Sequence, residues 1–104
     1  MEILHATNDN FHDLTKEGYV LVDFFATWCG PCKMLAPVFE QAGEEMKNDA
    51  TFLKVDIDEA MDIARSFGIM SVPTMILFKD GKEVSKKTGY MPEPLLTKWI
   101  EENQ

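Results

Sequence analysis

The stretch YVLVDFFATWCGPCK, residues 19–33, decides the fold of this 104-residue chain. Its first eight residues are β-branched, aromatic or aliphatic apart from one aspartate, a pattern that predicts a central strand buried on both faces. A helical period of apolar residues begins at Pro31 and ends near Asn48. The stretch therefore predicts a strand followed by a helix, with the only two cysteines, Cys29 and Cys32, at the junction.

Shorter elements are predicted on either side of this junction. EILH, residues 2–5, indicates a first short strand, and a helix capped by Thr7 or Asn8 should follow it and stop at Gly18. TFLKVDI, residues 51–57, alternates between apolar and polar residues as a strand does. The central strand, the long helix and this strand form a βαβ unit, which implies a right-handed crossover and parallel pairing.

The second half of the chain predicts a helix, a hairpin and a last helix. EAMDIARSFG, residues 59–68, indicates a short helix, and an Asp80–Gly81 turn joins the two strands of a hairpin within residues 74–89. The side chains predicted to face inward on the last helix, residues 93–103, are Leu95, Leu96, Trp99 and Ile100. We therefore expect an α/β fold with a mixed central sheet, formed as one domain over residues 1–104.

The composition argues against several classes of function. A formal net charge of −8 is unfavourable for a nucleic-acid partner, because phosphate contacts need clustered lysines and arginines. No apolar run approaches the roughly 20 residues of a membrane helix, and the first residues lack the basic start and apolar stretch of a secretory signal. We therefore expect a cytoplasmic monomer without a membrane or nucleic-acid partner.

The spacing of Cys29 and Cys32 is compatible with a structural crosslink, part of a metal site or a redox pair. A crosslink over two intervening residues closes a very small loop and stabilises the fold weakly. A closed zinc site needs four ligands, but the only histidines, His5 and His12, have six residues between them instead of the usual three to five. The sequence therefore favours the redox pair and predicts no metal.

The predicted position of the pair gives its two thiols different reactivities. Cys29 falls at the exposed amino end of the helix, where free backbone N–H groups and the helix dipole favour a thiolate. Cys32 lies one turn further in, is less exposed, and can attack a disulfide formed at Cys29. The pattern thus predicts a nucleophilic Cys29 and a resolving Cys32.

One aspartate interrupts the predicted buried strand. Burying a lone carboxylate is costly, and the usual response is a raised pKa. A carboxyl group that holds a proton near two thiols suits a proton relay, which is the role predicted for Asp23. From the residues alone, Lys54 on the neighbouring strand is equally compatible with an edge lysine whose aliphatic stem is buried.

VDFFATWCGPCKMLAP, residues 22–37, resembles the active-site stretch of the thioredoxin family. KVDID at 54–58, SFGIMSVPTMILFKDGK at 66–82 and TGY at 88–90 continue the resemblance along essentially the whole chain. The resemblance implies the thioredoxin fold, in which four helices flank a mixed sheet. It also implies the activity of a general protein-disulfide reductase that cycles between a dithiol and a disulfide.

The resemblance assigns roles to further residues. Asp23 would accept the proton of Cys32 through water, with Lys54 as its charge partner. Val72 would offer its backbone to a substrate strand, and Pro73 would follow a cis peptide bond, although trans bonds are far commoner before proline. The docking face implied by the family consists of Trp28, Gly30, Pro31, Val72, Pro73, Gly89 and Tyr90.

Partners and cofactors are also implied by the resemblance. A thioredoxin reductase would restore the dithiol, so NADPH and FAD would act through that partner and the chain itself would bind no cofactor. The substrates implied are ribonucleotide reductase, peroxiredoxins and methionine sulfoxide reductase. Phe25, Ser71 and the segment 90–94 depart from the family pattern, which affects the expected choice of partner more than the chemistry.

Two alternative functions stay open at this point. One is a disulfide oxidase or isomerase, against which the proline at position 31 and the missing secretory signal argue. The other is a non-redox binding subunit of a larger complex, in which the thiols are incidental. Replacement of both cysteines would discriminate between a redox protein and such a subunit.

Overall fold

The computed structural model describes residues 3–104, which form a five-stranded sheet with helices packed on both faces. The strands are β1 (Leu4–His5), β2 (Tyr19–Phe25), β3 (Thr51–Asp56), β4 (Thr74–Lys79) and β5 (Lys82–Thr88). The helices are α1 (Phe11–Thr15), α2 (Gly30–Glu45), α3 (Met61–Ser66) and α4 (Glu93–Glu102). The α/β fold with a mixed sheet is confirmed, while Glu2 of the predicted first strand lies outside the described residues.

The strands lie in the order β1-β3-β2-β4-β5, so β2 occupies the centre of the sheet. β2 runs parallel to β3, with Asp23 opposite Lys54, and antiparallel to β4, with Asp23 opposite Met75. The hairpin of β4 and β5 turns at Asp80 and Gly81, both with positive φ, as the Asp-Gly pair requires. This topology brings the carboxyl ends of β2 and β3 to the same edge as the start of β4.

β2 is buried on both faces, as its continuous apolar pattern predicts. Leu21 packs in the cluster formed by α2 and α4, while Val22 and Phe24 pack in the cluster on the opposite face. Because side chains alternate along a strand, Asp23 lies on the same face as Leu21 and therefore faces the layer that contains α2. Cys32 is in the first turn of that helix.

Leu95 is the one residue of α4 whose predicted inward orientation is wrong. Its side chain is 54% exposed, whereas Leu96, Trp99 and Ile100 are buried as predicted. The three buried residues form a narrow stripe, and Leu95 lies roughly a quarter turn away from its centre. The buried face of α4 is therefore narrower than its apolar residues in sequence indicate.

The predicted cap of α1 is also wrong, because the N-cap residue is Asn10 and not Thr7 or Asn8. The Thr7 amide donates to Asn10 Oδ1 at 2.7 Å, and the Phe11 amide donates to the Thr7 carbonyl at 3.0 Å. These bonds close a separate turn over residues 8–10 before the helix begins. The local polar side chains thus form a turn that delays the helix.

Candidate redox site

Both cysteines lie where β2 passes into α2. Cys29 is the N-cap residue of the helix and has extended backbone angles, φ −93° and ψ 115°. Pro31 lies in the first turn, where its missing N–H removes no helical hydrogen bond. The strand therefore delivers Cys29 to the helix start, and the helix places Cys32 one turn further on.

Cys29 and Cys32 form a disulfide in this structure, with their Cα atoms 5.3 Å apart. The predicted difference in exposure between them is wrong for this state, since Cys29 is 4% and Cys32 is 3% exposed. Both cysteines lie in an apolar cluster with side chains of three segments, those of Ala26, Ile57 and Val72 among them. The asymmetry of the pair thus comes from the groups around each sulfur.

The helix start supplies a hydrogen-bond donor to one sulfur. The backbone N–H of Cys32 donates to Cys29 Sγ at 3.1 Å. An N–H at the first turn of a helix has no carbonyl partner within the helix and carries the positive end of its dipole. A donor in this position favours negative charge on the sulfur at the helix start.

Asp23 is fully buried, and both of its carboxyl oxygens lack a hydrogen-bond partner among the described residues. Burial raises the pKa of Asp23 from 3.8 to about 7, while the nearby positive charge of Lys54 acts in the opposite direction. The carboxyl group therefore exchanges its proton near neutral pH.

Lys54 lies directly opposite Asp23 in the β2–β3 register, but its ammonium group is directed to an aromatic ring. Its Nζ is 4.5 Å from the centroid of the Phe25 ring, and the ion pairs between described residues do not include one to Asp23. A cation over a ring face is attracted by the ring quadrupole. Lys54 thus influences Asp23 through its charge, without a direct bond.

A cavity of about 230 Å³ connects the cysteine side of α2 with this lysine. Its lining is formed by Phe25, Ala26, Thr27, Cys32, Lys33, Ala36 and Lys54. The cavity is large enough for several water molecules. Cys32 and Lys54 therefore line the same cavity, whereas Asp23 does not.

The loop before β4 packs against the disulfide. The Val72 carbonyl oxygen lies 3.7 Å from Cys29 Sγ, and the Val72–Pro73 peptide bond is cis, as the family resemblance implies. The Gly89 amide donates to the Pro73 carbonyl at 2.8 Å, so the end of β5 is joined to the same loop. Residues distant in sequence thereby surround the cysteine pair.

Around this loop, the surface combines exposed apolar side chains with an open backbone. Trp28 is 68% exposed, and its Nε1 donates to Asp58 Oδ2 at 3.0 Å. Tyr90 is also exposed, and the space above Gly30 is free of other atoms within 4 Å of an added Cβ. Sequence reasoning missed Asp58 as the residue that orients Trp28, although the carboxylate lies within the matched segment KVDID.

The described residues include neither a cluster of metal ligands nor a membrane-spanning helix. Residues 3–104 contain no group of three or more histidine, cysteine or acidic side chains that could hold a metal ion. None of the helices in the same range combines the length and apolar character needed to cross a membrane.

The sequence model of the thioredoxin family matches residues 2–102 of this chain. The chain belongs to the thioredoxin family. It is 47% identical to the thioredoxin of Staphylococcus saprophyticus over 103 residues, which cover 99% of each chain. It is 51% identical over 99 residues to the thioredoxin of Chlamydia muridarum, covering 95% of this chain and 96% of the relative. With the thioredoxin of Bacillus subtilis it shares 43% identity over 100 residues, 96% of each chain.

Membership of the thioredoxin family, together with the Cys29–Cys32 pair, makes this chain a protein-disulfide reductase. The family resemblance drawn from WCGPC is confirmed, as are the redox interpretation of the cysteines and the predicted activity. Thioredoxins exchange electrons with disulfide substrates and with a reductase, and they need no bound cofactor for this chemistry.

Proposed function

We propose that Cys29 is the nucleophile and Cys32 the resolving thiol of a general protein-disulfide reductase. The observation that carries this assignment is the hydrogen bond from the Cys32 amide to Cys29 Sγ, at 3.1 Å. It stabilises a thiolate on Cys29, which attacks a substrate disulfide and forms a mixed disulfide while one substrate thiolate leaves. The neighbouring Val72 carbonyl supports docking of an extended substrate strand beside the attacked sulfur.

In the second step, the Cys32 thiolate attacks Cys29 Sγ and the second substrate thiolate leaves. The two electrons lost by the cysteine pair have then reduced the substrate disulfide to two thiols. Cys32 first has to lose its proton, and we propose Asp23 as the acceptor because its pKa of about 7 lies close to neutral pH. The cavity beside Cys32 is large enough for water to reach that residue, although Asp23 does not line it, and the charge of Lys54 favours return of Asp23 to its ionised form.

The substrate-docking face comprises Trp28, Gly30, Pro31, Val72, Pro73, Gly89 and Tyr90. Exposed aromatic area on Trp28 and Tyr90 supports this role, as does the free space above Gly30. Such a face is apolar and has few side-chain hydrogen bonds. It therefore suits many different disulfide proteins.

The cellular setting of the reaction is part of the same proposal. We propose a cytoplasmic monomer, a single thioredoxin domain over residues 1–104, that is reduced by a thioredoxin reductase. NADPH and FAD would act through that reductase. Ribonucleotide reductase, peroxiredoxins and methionine sulfoxide reductase are the proposed substrates, and the family membership supports each of these assignments. Nucleic acids and membranes are not proposed as partners.

The experiment that tests the assignment uses two serine variants in an insulin-disulfide reduction assay with NADPH and a thioredoxin reductase. We expect Cys29→Ser to abolish the reduction, because no nucleophile remains at the helix start. Cys32→Ser should still attack but cannot resolve, so it should hold substrate proteins as mixed disulfides that dithiothreitol releases. Non-reducing gels and mass spectrometry then show whether either variant holds a substrate as a mixed disulfide.

Each result that contradicts these expectations would lead to a different conclusion. Substrates trapped by Cys29→Ser instead of Cys32→Ser would reverse the two roles. If neither variant trapped a substrate, exchange through a mixed disulfide would be the wrong mechanism. A binding subunit with incidental thiols would keep its cellular function when both cysteines are replaced by serine. An oxidase would have a reduction potential near that of periplasmic oxidants.

A further inference from the structure

Among residues 3–104, Met70 is the most exposed large apolar residue, at 96%. It lies in the loop between α3 and β4, two residues before Val72. Since consecutive Cα atoms are about 3.8 Å apart, the Cα of Met70 lies within about 8 Å of the Cα of Val72. An apolar side chain therefore projects into solvent at the border of the docking face.

Such exposure has no role in the stability of the fold. Met46 and Met75 fill the core, with 6% and 0% exposure, and loss of either would leave a cavity. Met70 has nearly the exposure of an isolated side chain, so its apolar surface becomes buried only when another molecule covers it. A flexible thioether can adapt its shape to many partners.

The same exposure makes the thioether accessible to oxidants. Oxidation of methionine transfers one oxygen atom from a peroxide to the sulfur, giving a sulfoxide and water, so the sulfur loses two electrons that the peroxide gains. The product is polar, and its hydration would have to be lost on docking. We propose that Met70 is a site of oxidative modification, at which conversion to the sulfoxide by hydrogen peroxide weakens docking of disulfide substrates.

The test starts from the disulfide form, in which neither cysteine offers a free thiol to peroxide. After treatment with hydrogen peroxide and its removal, dithiothreitol reduces the disulfide and leaves the sulfoxide in place. Peptide mass spectrometry then gives the rate of oxidation at each methionine. We expect Met70 to react first, Met34 and Met61 more slowly at 62% and 50% exposure, and Met46 and Met75 to stay unmodified.

The functional effect is measured as the KM for insulin disulfides before and after oxidation of the same preparation. Losing about half the burial energy of one methionine side chain corresponds to a rise in KM of roughly fourfold to tenfold. Met70→Leu, which has no sulfur at this position, should have the same KM before and after treatment. Met61→Leu is the matched control, and its KM should rise as in the wild type.

Each contrary result overturns a defined part of the proposal. Oxidation of Met34 or Met61 ahead of Met70 would remove Met70 as the preferred site. An unchanged KM with Met70 fully oxidised, or an equal rise in Met70→Leu, would remove its effect on docking. A lower melting temperature after oxidation would assign the loss to unfolding.

The docking effect rests on the proposed function, but the oxidation site does not. If untreated protein failed to reduce insulin, the reductase mechanism would be overturned while the mass spectra still decided the site. Calorimetric binding of the disulfide form to a thioredoxin reductase, before and after oxidation, then tests docking without turnover. Equal affinities in the two titrations would overturn the proposed effect.

Discussion

The two ends of the central strand β2 differ in how they treat polar and apolar groups. At the hairpin end, Gly18 and Asp80 exchange two hydrogen bonds, from the Gly18 amide to Asp80 Oδ1 at 2.8 Å and from the Asp80 amide to the Gly18 carbonyl at 2.9 Å. Toward the cysteine end, Asp23 is buried without a partner while Trp28 and Met70 are exposed. Polar groups are hydrogen-bonded at the hairpin end. At the cysteine end, a carboxyl group is buried without a partner and apolar side chains are exposed to solvent.

This difference separates stability from reactivity along a single strand. Satisfied hydrogen bonds and a favourable turn stabilise the hairpin end. An unpaired carboxyl group in the core and apolar side chains in water are both unfavourable for folding, yet each suits proton exchange or docking. We therefore expect substitutions at the hairpin end to alter stability alone, and those at the cysteine end to alter activity, in one case while increasing stability.

The largest expected effect on stability is at Asp23. Between about pH 4 and pH 7 the folded protein retains the Asp23 proton that the unfolded chain has lost, so stability falls as pH rises. The rise in its pKa from 3.8 to about 7 corresponds to at most about 4 kcal/mol, fully lost above pH 7. Asp23→Asn does not ionise, so its advantage over the wild type should grow from near zero at pH 4 to this limit at pH 8. Urea unfolding at both pH values measures it.

Asp23→Asn should also slow the step in which Cys32 attacks the mixed disulfide. Loss of a proton acceptor in this position should reduce the single-turnover rate at least about tenfold near pH 7. Asp56→Asn is the matched control. Asp56 is also buried, at 9% exposure, but unlike Asp23 it has a hydrogen-bond partner, because its Oδ1 accepts from the Asp58 amide at 2.9 Å. Equal pH dependence of stability in Asp23→Asn and the wild type would refute the assigned burial cost.

A smaller effect is expected for Asp80→Ala at the hairpin end. The variant loses the hydrogen bond that the Gly18 amide donates to the Asp80 side chain. It also places alanine at φ 50°, a left-handed conformation that aspartate and asparagine adopt more readily than alanine does. We expect the free energy of unfolding to fall by about 1–2 kcal/mol, with kcat/KM for insulin unchanged. Asp80→Asn, which keeps both the side-chain acceptor and the turn preference, should lose much less. A drop in activity at unchanged stability would contradict the separation of the two ends.

Much of this arrangement could be predicted from the sequence because short-range patterns determine it. The apolar run of β2, the Asp-Gly turn and the CxxC junction depend on neighbouring residues, and each was predicted correctly. The orphaned carboxyl group of Asp23 followed from one polar letter within a buried strand.

The features that escaped prediction depend on tertiary packing or on local alternatives. Leu95 belongs to an apolar run, but its exposure is set by the angle at which α4 meets the sheet. The Lys54 ammonium group has two neighbours on β2, Asp23 and Phe25, and it lies over the Phe25 ring. No sequence pattern indicates which of the two it contacts. The similar burial of Cys29 and Cys32 results from a loop 43 residues further along the chain, where Val72 covers Cys29.

The pairing of β2 with β4 sets the order in which the molecule can assemble. Val22 pairs with Ile76, 54 residues later, whereas Leu77 pairs with Ser85 only eight residues away. Because the entropy lost on closing a loop grows with its length, we expect the β4–β5 hairpin to form before β2 joins it. Pulsed hydrogen exchange during refolding should therefore protect β5 amides ahead of those that join β2 to β4, and the reverse order would contradict this. Since the same closure brings Val72 to Cys29, the redox site is completed only after the longest loop in the sheet has closed.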